Sequence, residues 1–149
     1  LSPFARASTS SHLPADRHGQ YFAHAAVDQS LDTAWVEGVS GPGIGEWIEI
    51  TFPSTIELYA IDLANGYQKS ADLFAKNNRI KQATLIFSHG EQMTVDLADE
   101  RGRQQIDLLQ RRGATLETDM IKIMIEDVYP GTEYDDTCLA EIEVYGVTK

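Results

Sequence analysis

The sequence predicts an all-β fold, and two observations carry that prediction. Seven or eight short segments alternate apolar and polar residues with a period of two, which is typical of half-buried strands. Turn residues separate these segments, and only one stretch has a helical pattern. Many short strands with almost no helix indicate an antiparallel sandwich or barrel, and the number of strands favours a single β-sandwich.

Chain length and composition fit one soluble domain. The 149 residues can bury a sizeable core, so we expect a single domain over 1–149, with a polar leading segment or edge strand at 1–20. Hydrophobic residues make up 42% and charged residues 23%, which are ordinary values for such a domain. No apolar run approaches the ~20 residues of a membrane span, and the first residues do not match a signal peptide.

The charge balance limits the classes of partner. A net charge of -11 argues against nucleic acid, because phosphate binding needs clustered Lys and Arg. An acidic surface is compatible with neutral polymers, cations or basic proteins. The lone cysteine, Cys138, excludes an intrachain disulfide, and its apolar neighbours favour a buried, inert thiol over a nucleophile. We expect His12, His18 and His24 to face solvent rather than to bind zinc.

The stretch 25–52 organises the predicted fold. Its second half is a strand in which three apolar residues should face inward and their neighbours outward: Ile48, Ile50 and Phe52 against Trp47, Glu49 and Thr51. Trp35 and Trp47 are expected to pack in the core and at the end of the sheet. The loop 28–33 is rich in carboxylate, hydroxyl and carbonyl oxygens, which are the ligands that calcium prefers. The same loop can also form an Asx-turn that is solvated by water.

The rest of the chain alternates strand patterns with turns. Tyr59, Ile61 and Leu63 should share an inward face before a turn at 65–66. Residues 70–76 are the helical candidate, with Ser70 as the N-cap. Further inward-facing sets are Ala83/Leu85/Phe87, Met93/Val95/Leu97, Ile106/Leu108, Ile121/Ile123/Ile125 and Ala140/Ile142/Val144.

Three motifs follow one another along the chain: A-x-D-x-x-x-x-T-x-W at 26–35, W-I-x-I-x-F at 47–52 and E-I-E-V-Y-G at 141–146. In this order they resemble the discoidin or coagulation-factor C-type domains. Family 32 carbohydrate-binding modules share the galactose-binding-like jelly roll of those domains. The resemblance therefore implies a jelly-roll β-sandwich with one short helical insertion.

Four longer stretches carry a closer resemblance, namely 33–52, 65–70, 77–82 and 127–146. They are similar to the discoidin-like, glycan-binding domain that is attached to bacterial NAD-glycohydrolase toxins and also occurs apart from any catalytic unit. The similarity covers nearly the whole chain after residue 20. It implies a non-catalytic, lectin-like module that targets a larger bacterial protein to a glycan-bearing surface, secreted or on the cell surface. It does not imply that this chain cleaves NAD.

The resemblance also implies a structural calcium ion. By position, its ligands are the side chains of Asp28, Thr33 and Glu141, the Thr33 and Ala140 carbonyls, and carbonyls near Ala25 and Ser30. Such an ion would pin the first long loop to the last strand. The family usually has Gly-Asp or Gly-Asn after the first Asp, whereas Gln29 and Ser30 stand here, so one carboxylate is lost. The alternative is the same loop held by hydrogen bonds alone.

The loops are rich in aromatic and planar polar residues, which is the chemistry that binds sugars. Aromatic rings pack on the apolar C–H face of a sugar, while amide, guanidinium and carboxylate groups pair with its hydroxyls. The candidate ligand-binding residues are Glu37, Tyr67, Lys69, Asn78, Arg79, Tyr129, Tyr134 and Asp135. We expect the loop with Tyr67 and Arg79 to meet the loop with Tyr129 and Tyr134 at one end of the sandwich.

Each candidate also has a structural interpretation. The tyrosines can cover the ends of the sandwich, and Arg79 can pair with Asp135 or Asp136. Asn77 and Asn78 can close the helix at 70–76. The sequence leaves both interpretations in place.

Two other function classes stay open beside glycan binding. Glu37, Glu46, Asp135 and Asp136 could supply the paired carboxylates of a glycoside hydrolase, which lie about 5 to 10 Å apart across a cleft. Adjacent Asp135 and Asp136 tend to point in different directions, and no Ser/His or Cys/His arrangement lies around them. A module that docks on a protein receptor would share the exposed aromatic residues, so the sequence does not separate it from a glycan-binding module.

Overall fold

The computed structural model describes residues 5–17 and 19–149, of which 51% lie in strands and 12% in helices. The strands are β1 (Arg6–Thr9), β2 (Trp35–Val36), β3 (Trp47–Asn65), β4 (Arg79–Phe87), β5 (Gln92–Asp96), β6 (Arg103–Asp107), β7 (Leu116–Tyr129) and β8 (Cys138–Thr148). Helices α1 (Ala71–Lys76) and α2 (Leu108–Arg112) and 3-10 helices at Ala23–Ala26 and Ser88–Gly90 complete the described part. The predicted all-β class is confirmed. Within the same residues, no helix has the length and apolar character needed to cross a membrane.

The strands form two sheets because the long strand β3 belongs to both. Its first half, up to Thr51, pairs with β1 and β7, and its second half, from Ile56, pairs mainly with β8 and β6. Every pairing between these strands is antiparallel. One sheet therefore runs β1-β3-β7-β4-β5 and the other β2-β8-β3-β6, with the core between them.

Apolar residues at alternate strand positions build this core. Ile48 lies opposite Ile123 and Ile50 opposite Ile121 in the β3–β7 ladder, and all four side chains are buried. Cross-strand apolar pairs on one face are the unit that stabilises a sheet. The inward faces predicted for 48–52 and for 121–125 are therefore confirmed.

Tyr59 does not share the inward face of Ile61 and Leu63, so that part of the prediction is wrong. Its side chain is 39% exposed, whereas the other two are fully buried. Its neighbours Leu58 and Ala60 pair with successive residues of β8, which leaves Tyr59 as the extra residue of a β-bulge. A bulge breaks the period-two alternation, so the residue before it changes face relative to the residues after it.

The helix predicted at 70–76 is confirmed as α1. The Ser70 side chain accepts the backbone N–H of Leu73 at 3.1 Å and caps the helix, and Asn77 is the C-cap. Helix α1 forms the connection between β3 and β4. It therefore stands at the end of the sandwich where the predicted ligand loops lie.

The second helix, α2, was not predicted, because the sequence analysis placed Leu108 in a strand with Ile106. Strand β6 ends at Asp107, whose Oδ1 accepts the backbone N–H of Gln110 at 2.9 Å. Gly113 closes the helix in the left-handed conformation with φ 75°. An N-cap and a C-terminal glycine thus enclose a single helical turn that hydrophobic periodicity cannot reveal over so few residues.

Both tryptophans take the packing positions that the sequence predicts. Trp35 is fully buried, and its Nε1 donates to the Ser11 carbonyl at 2.8 Å, which fastens the segment before β2 to the core. Trp47 is partly exposed at the start of β3, with the Lys122 ammonium 4.2 Å from its ring centroid. A cation over an aromatic face is favourable and covers the ring.

Candidate functional site

One end of the sandwich carries a concavity of about 610 Å³. Three segments wall it: the chain that precedes β2, the connection from β3 through α1, and the loop that precedes β8. The lining residues are Leu13, Asp16, Arg17, Tyr21, Val36, Tyr67, Lys69, Asp72, Leu73, Lys76, Asn77, Tyr134 and Asp136. Small-molecule sites typically have volumes of about 300–1,000 Å³ and combine apolar walls with a few polar groups. This concavity has both properties.

Two of these walls are joined by backbone hydrogen bonds. The amides of Thr132 and Tyr134 donate to the carbonyls of Ala75 and Lys76 at 3.0 and 2.9 Å. These carbonyls lie at the C-terminal end of α1, where they have no partner within the helix. The loop before β8 therefore completes α1, and the predicted meeting of the two loops is confirmed.

Asn78 joins the same loops from the protein interior. Its Nδ2 donates to Asp135 Oδ1 at 3.0 Å, and its Oδ1 accepts the Gly131 amide at 2.7 Å. Its backbone N–H donates to the Asp136 carbonyl at 2.9 Å. Because the residue is 1% exposed, Asn78 builds the loop junction and does not face the concavity.

Arg79 is also used inside the protein. Its Nε and Nη2 donate to the two carboxylate oxygens of Asp99, each at 2.9 Å, and its Nη1 donates to the Asn77 carbonyl at 3.0 Å. The ion pair that the sequence suggested with Asp135 or Asp136 is not formed. A side chain on Gly66 would place its Cβ 2.6 Å from Arg79 Cγ, so glycine at this position lets the arginine pass beneath the turn.

Glu37, Tyr129 and Asp135 likewise lie outside the lining of the concavity. Glu37 is fully buried, and its carboxylate oxygens accept the backbone amides of Thr137 and Val39 at 3.1 and 3.0 Å. Burial raises the pKa of Glu37 to about 7. The Tyr129 hydroxyl donates to a backbone carbonyl just after β5, 2.7 Å away. Asp135 Oδ1 accepts a hydrogen bond from the side-chain amide of the buried Asn78.

Three of the predicted ligand-binding residues do line the concavity: Tyr67, Lys69 and Tyr134. The Tyr67 ring packs edge-on against Tyr21 with centroids 6.4 Å apart, and its hydroxyl bonds to none of the described residues. Burial raises the pKa of Tyr67. Tyr134 is 44% exposed, and Lys69 is exposed and forms no ion pair within the described part of the chain.

Asp136 supplies a carboxylate that the sequence analysis did not place among the ligand-binding residues. It lines the concavity and is half-buried, and burial first, then the charge of Asp135, raises its pKa. Of the four carboxylates considered for glycoside hydrolysis, Asp136 alone lies there within the described residues. Glu37 is buried, and Glu46 accepts the Ser11 hydroxyl at 2.6 Å. That set therefore presents one carboxylate here and not a pair.

The predicted calcium residues meet at a second place, between the loop 28–33 and the start of β8. The Thr33 hydroxyl lies 2.6 Å from Asp28 Oδ2, 3.1 Å from the Ala25 carbonyl and 3.4 Å from the Ser30 carbonyl. A hydroxyl carries one proton, so it cannot satisfy three acceptors at once. This group of oxygens has more acceptors than donors, which suits a cation.

Glu141 adds a fourth contact to the same loop and an oxygen without a partner. Its Oε1 accepts the Gln29 amide at 3.2 Å, while Oε2 is buried and bonds to none of the described residues. Burial chiefly, and the nearby Asp28 charge, raise the pKa of Glu141 to about 8. The preceding residue, Ala140, is the extra residue of a second β-bulge, because the β3 ladder passes from Glu141 to Leu139.

Cys138 and two of the three histidines considered for zinc lie within the described residues. Cys138 is buried, and burial raises the pKa of its thiol, as expected for an unreactive cysteine. His12 and His24 are exposed, and His18 lies outside the described residues. Among the described residues, no three His, Cys, Asp or Glu side chains converge to hold a metal ion. The calcium candidate therefore depends on two carboxylates and neutral oxygens.

Comparisons with solved structures define the class of fold. The chain superposes on the family 32 carbohydrate-binding module of Clostridium perfringens NanJ, solved with galactose, at a TM-score of 0.69 and 15% identity over 94% of this chain and 92% of that one. It also superposes on Clostridium perfringens CpGH89CBM32-5, solved with GalNAc-β-1,3-galactose. The TM-score is 0.71 and the identity 16%, over 95% of this chain and 94% of that one. An F5/8 type C domain from Bacteroides fragilis superposes with a TM-score of 0.67 and 16% identity, over 97% of this chain and 93% of that one. Identities this low establish the fold alone.

The sequence itself identifies the family. The model of the NAD glycohydrolase translocation F5/8 type C domain matches residues 2–145. The chain therefore belongs to that family, as the discoidin-like motifs indicated. A comparison with curated proteins found no match.

Sequence reasoning missed the first wall of the concavity. Leu13 and Asp16 belong to the polar leading segment 1–20, and Tyr21 follows it directly; no chemistry was assigned to these residues. The signal there is Tyr21, an aromatic residue shortly after Gly19 in a stretch otherwise poor in large apolar side chains. The Tyr21 hydroxyl donates a hydrogen bond to Asp16 Oδ1 at 2.8 Å, so these two residues of the first wall are bonded to each other.

Glu141 predicts an unusual pH dependence of stability in metal-free buffer. Its folded pKa is raised to about 8 from an ordinary value of 4.5, so the folded protein binds more protons than the unfolded chain between these values. The free energy of unfolding should therefore fall as pH rises from about 4.5 to 8. The raised pKa of Glu37, about 7, should lower the free energy of unfolding in the same way as the pH rises to about 7.

Urea unfolding across this pH range, in the presence of a chelator, measures the effect. Glu141→Gln should flatten the slope and leave a smaller residual slope from Glu37. Glu37→Gln should remove that residual part. Parallel curves for the wild type and Glu141→Gln would show that the Glu141 carboxyl titrates normally in the folded protein.

Proposed function

We propose that the chain is a non-catalytic carbohydrate-binding module that holds the protein to which it belongs on a glycan-bearing surface outside the cell. The observation that carries the proposal is the concavity, where the rings of Tyr67 and Tyr134 lie beside the Lys69 ammonium and the Asp136 carboxylate, which form no ion pair with the described residues. Two proteins of the same fold were solved with galactose and with GalNAc-β-1,3-galactose, which supports sugars of this kind as ligands.

The lining residues can divide the recognition of a sugar among them. The exposed ring of Tyr134 can pack on a C–H face, and the hydroxyl of Tyr67 can donate or accept a hydrogen bond. The ammonium of Lys69 can only donate and the carboxylate of Asp136 can only accept, so together they match the two roles of a sugar hydroxyl. Loops on a rigid sandwich are suited to hold such groups in place.

Tyr134→Ala should weaken binding of galactose and of GalNAc-β-1,3-galactose by about tenfold or more, because removal of a stacking aromatic costs about 1–3 kcal/mol. The melting temperature should hardly change, since the side chain is 44% exposed. Tyr67→Phe keeps the buried ring and removes the hydroxyl, so it should weaken binding roughly two- to tenfold through one lost hydrogen bond. Isothermal titration calorimetry measures both effects.

Tyr145→Ala is the matched control, because this tyrosine is 37% exposed but lies on β8 away from the concavity. Its affinity for both sugars should equal that of the wild type. A glycan array with a turnover assay on the same oligosaccharides tests the function class. Binding without cleavage supports the module, and cleavage of a bound oligosaccharide would replace it with an enzyme.

We also propose that calcium binds between the loop 28–33 and β8. The protein residues that would hold it are Asp28, Thr33 and Glu141 through side chains, with carbonyls of Ala25, Ser30, Thr33 and Ala140. The unpartnered Oε2 of Glu141 and the excess of acceptors around Thr33 support this donor set. A bound ion would supply positive charge that lets both carboxylates ionise, and would fasten the loop to the last strand.

Calcium should therefore raise the melting temperature at pH values above neutral. At a hundredfold excess over the dissociation constant, a ligand that binds only the native state stabilises it by about 2.7 kcal/mol. Asp28→Asn and Glu141→Gln should each remove the increase, whereas Glu143→Gln, on the same strand, should retain it. Superimposable melting curves in calcium and in chelator would mean that hydrogen bonds alone hold this loop.

A protein receptor is the second candidate ligand, and exposed apolar side chains favour it. Val39 and Ile44 are 40% and 51% exposed in the glycine-rich connection between β2 and β3. The Thr137 hydroxyl donates to the Pro42 carbonyl at 2.6 Å, so this connection is fastened beside the loop before β8. A protein-docking surface predicts loss of cell binding in a Val39→Ser, Ile44→Ser variant. It also predicts cell binding that survives enzymatic removal of surface glycans.

A further inference from the structure

Asp136 is the lining carboxylate whose charge has no compensation from the described residues. Its carboxylate oxygens accept no hydrogen bond and lie in no ion pair within the residues that the structure describes. Burial raises its pKa, and the second cause is another carboxylate, Asp135, with no cation acting in the opposite direction. A half-buried charge of this kind is screened less by solvent than an exposed one.

The surroundings of Asp136 are acidic as well. Its charge contributes to the raised pKa of the buried Glu37, and the charge of Asp16 raises the pKa of both Tyr21 and Tyr67. Asp136, Asp16, Tyr21 and Tyr67 line the concavity, and Glu37 lies directly behind its wall. Asp136, with the charge of Asp135 beside it, therefore contributes a negative electrostatic potential to this part of the concavity.

The cations of the opposite wall do not cancel this potential. Lys76 pairs with Asp72 at 2.8 Å and with Glu133 at 3.5 Å, so its charge is already balanced within the wall. Lys69 forms no ion pair with the described residues. Both Lys69 and Arg17, the guanidinium of the first wall, are exposed, and water and salt screen an exposed charge. The less screened charge in the concavity is thus the negative one of Asp136.

We propose that Asp136 selects ligands by charge, so that the concavity accepts uncharged and ammonium-bearing sugars and rejects sugars that carry a carboxylate. This deepens the proposed function and rests on it. The carboxylate accepts hydrogen bonds from sugar hydroxyls, and a protonated amino group adds a charge-assisted hydrogen bond. A sugar carboxylate near the same oxygens meets like-charge repulsion at reduced dielectric and has no donor from Asp136 to pair with.

Three probes that share one sugar ring test this selection. They are methyl β-galactopyranoside, its 2-amino-2-deoxy analogue and methyl β-galactopyranosiduronate, which differ in one ammonium or one carboxylate. Calorimetric titrations slightly below neutral pH and at low salt should rank the ammonium sugar first, the neutral sugar second and the uronate last. We expect the uronate to bind about tenfold or more weaker than the neutral sugar, a difference of about 1.4 kcal/mol.

Two substitutions separate Asp136 from the competing cation. Asp136→Asn should bring the affinities of the three probes to within about threefold of one another, because it removes the charge and keeps the shape. Lys69→Met should leave their order unchanged. Glu100→Gln, an exposed change of equal charge in the connection between β5 and β6, is the control and should match the wild type.

The outcomes distinguish the two proposals. If none of the three probes binds, nor any sugar of the glycan array, the proposed function fails. If all three bind with equal affinity, or if Lys69→Met alone changes their order, glycan binding stands and the selection by Asp136 is overturned. Retention of the wild-type order in Asp136→Asn would overturn it equally.

Discussion

The hydrogen bonds of Asn78 hold together the two loops that wall the concavity. Its side-chain amide bonds to Gly131 and Asp135, and its backbone N–H bonds to Asp136, the residue that presents a carboxylate to the site. A buried amide left without partners costs about 1–3 kcal/mol, so the loops cannot separate without a penalty. Arg79 adds a second link, because its Nη1 donates to the carbonyls of Asn77, at the end of α1, and of Pro130, in the loop before β8. The walls of the concavity are therefore held from beneath, while Tyr67, Lys69, Tyr134 and Asp136 line it.

The same strand connects the concavity to the calcium candidate. Strand β8 begins at Cys138, directly after the residues that close the concavity, and carries Glu141 three positions later. β8 pairs with β2 and β3, so both places rest on the same sheet. An ion between Glu141 and the loop 28–33 would thus fasten the strand from which the Asp136 loop departs. The proposed ion is structural in this sense, since it supports the scaffold and contributes nothing to the lining.

Strand alternation, turn residues and motif order predicted the fold because these signals are local. The inward face predicted for Tyr59 was wrong, because the direction of that side chain depends on the partner strand. Tyr59 turns outward because β3 carries one residue more than β8 at that point, and no pattern within β3 reveals that count. The helix α2 is a single turn whose signal is its caps at Asp107 and Gly113 and not a hydrophobic period. Strand register decides the face of Tyr59, and capping residues decide the helix α2. Alternation of apolar and polar residues reveals neither.

The candidate site was predicted at the level of loops and only in part at the level of residues. Amide, guanidinium and carboxylate groups recognise sugars, but the same groups also satisfy buried backbone atoms, and Asn78, Arg79 and Glu37 serve the second purpose. Composition cannot distinguish these uses, because the difference lies in burial. Gln29 differs from the residue that the family usually has. It adopts the left-handed conformation, φ 64°, at a position where the family usually has glycine. The backbone there has the conformation that glycine adopts most readily, although a glutamine stands at the position.

The central claim is that the concavity between α1 and the loop before β8 binds a glycan. Backbone amide chemical shifts recorded during a titration with methyl β-galactopyranoside test it most directly, because they report the position of the ligand without altering the protein. The account predicts saturable shifts concentrated at residues 67–77 and 134–136, with few changes on the outer faces of the sheets. Saturable shifts confined to another surface, or no saturable shifts with any sugar that the glycan array identifies, would contradict it.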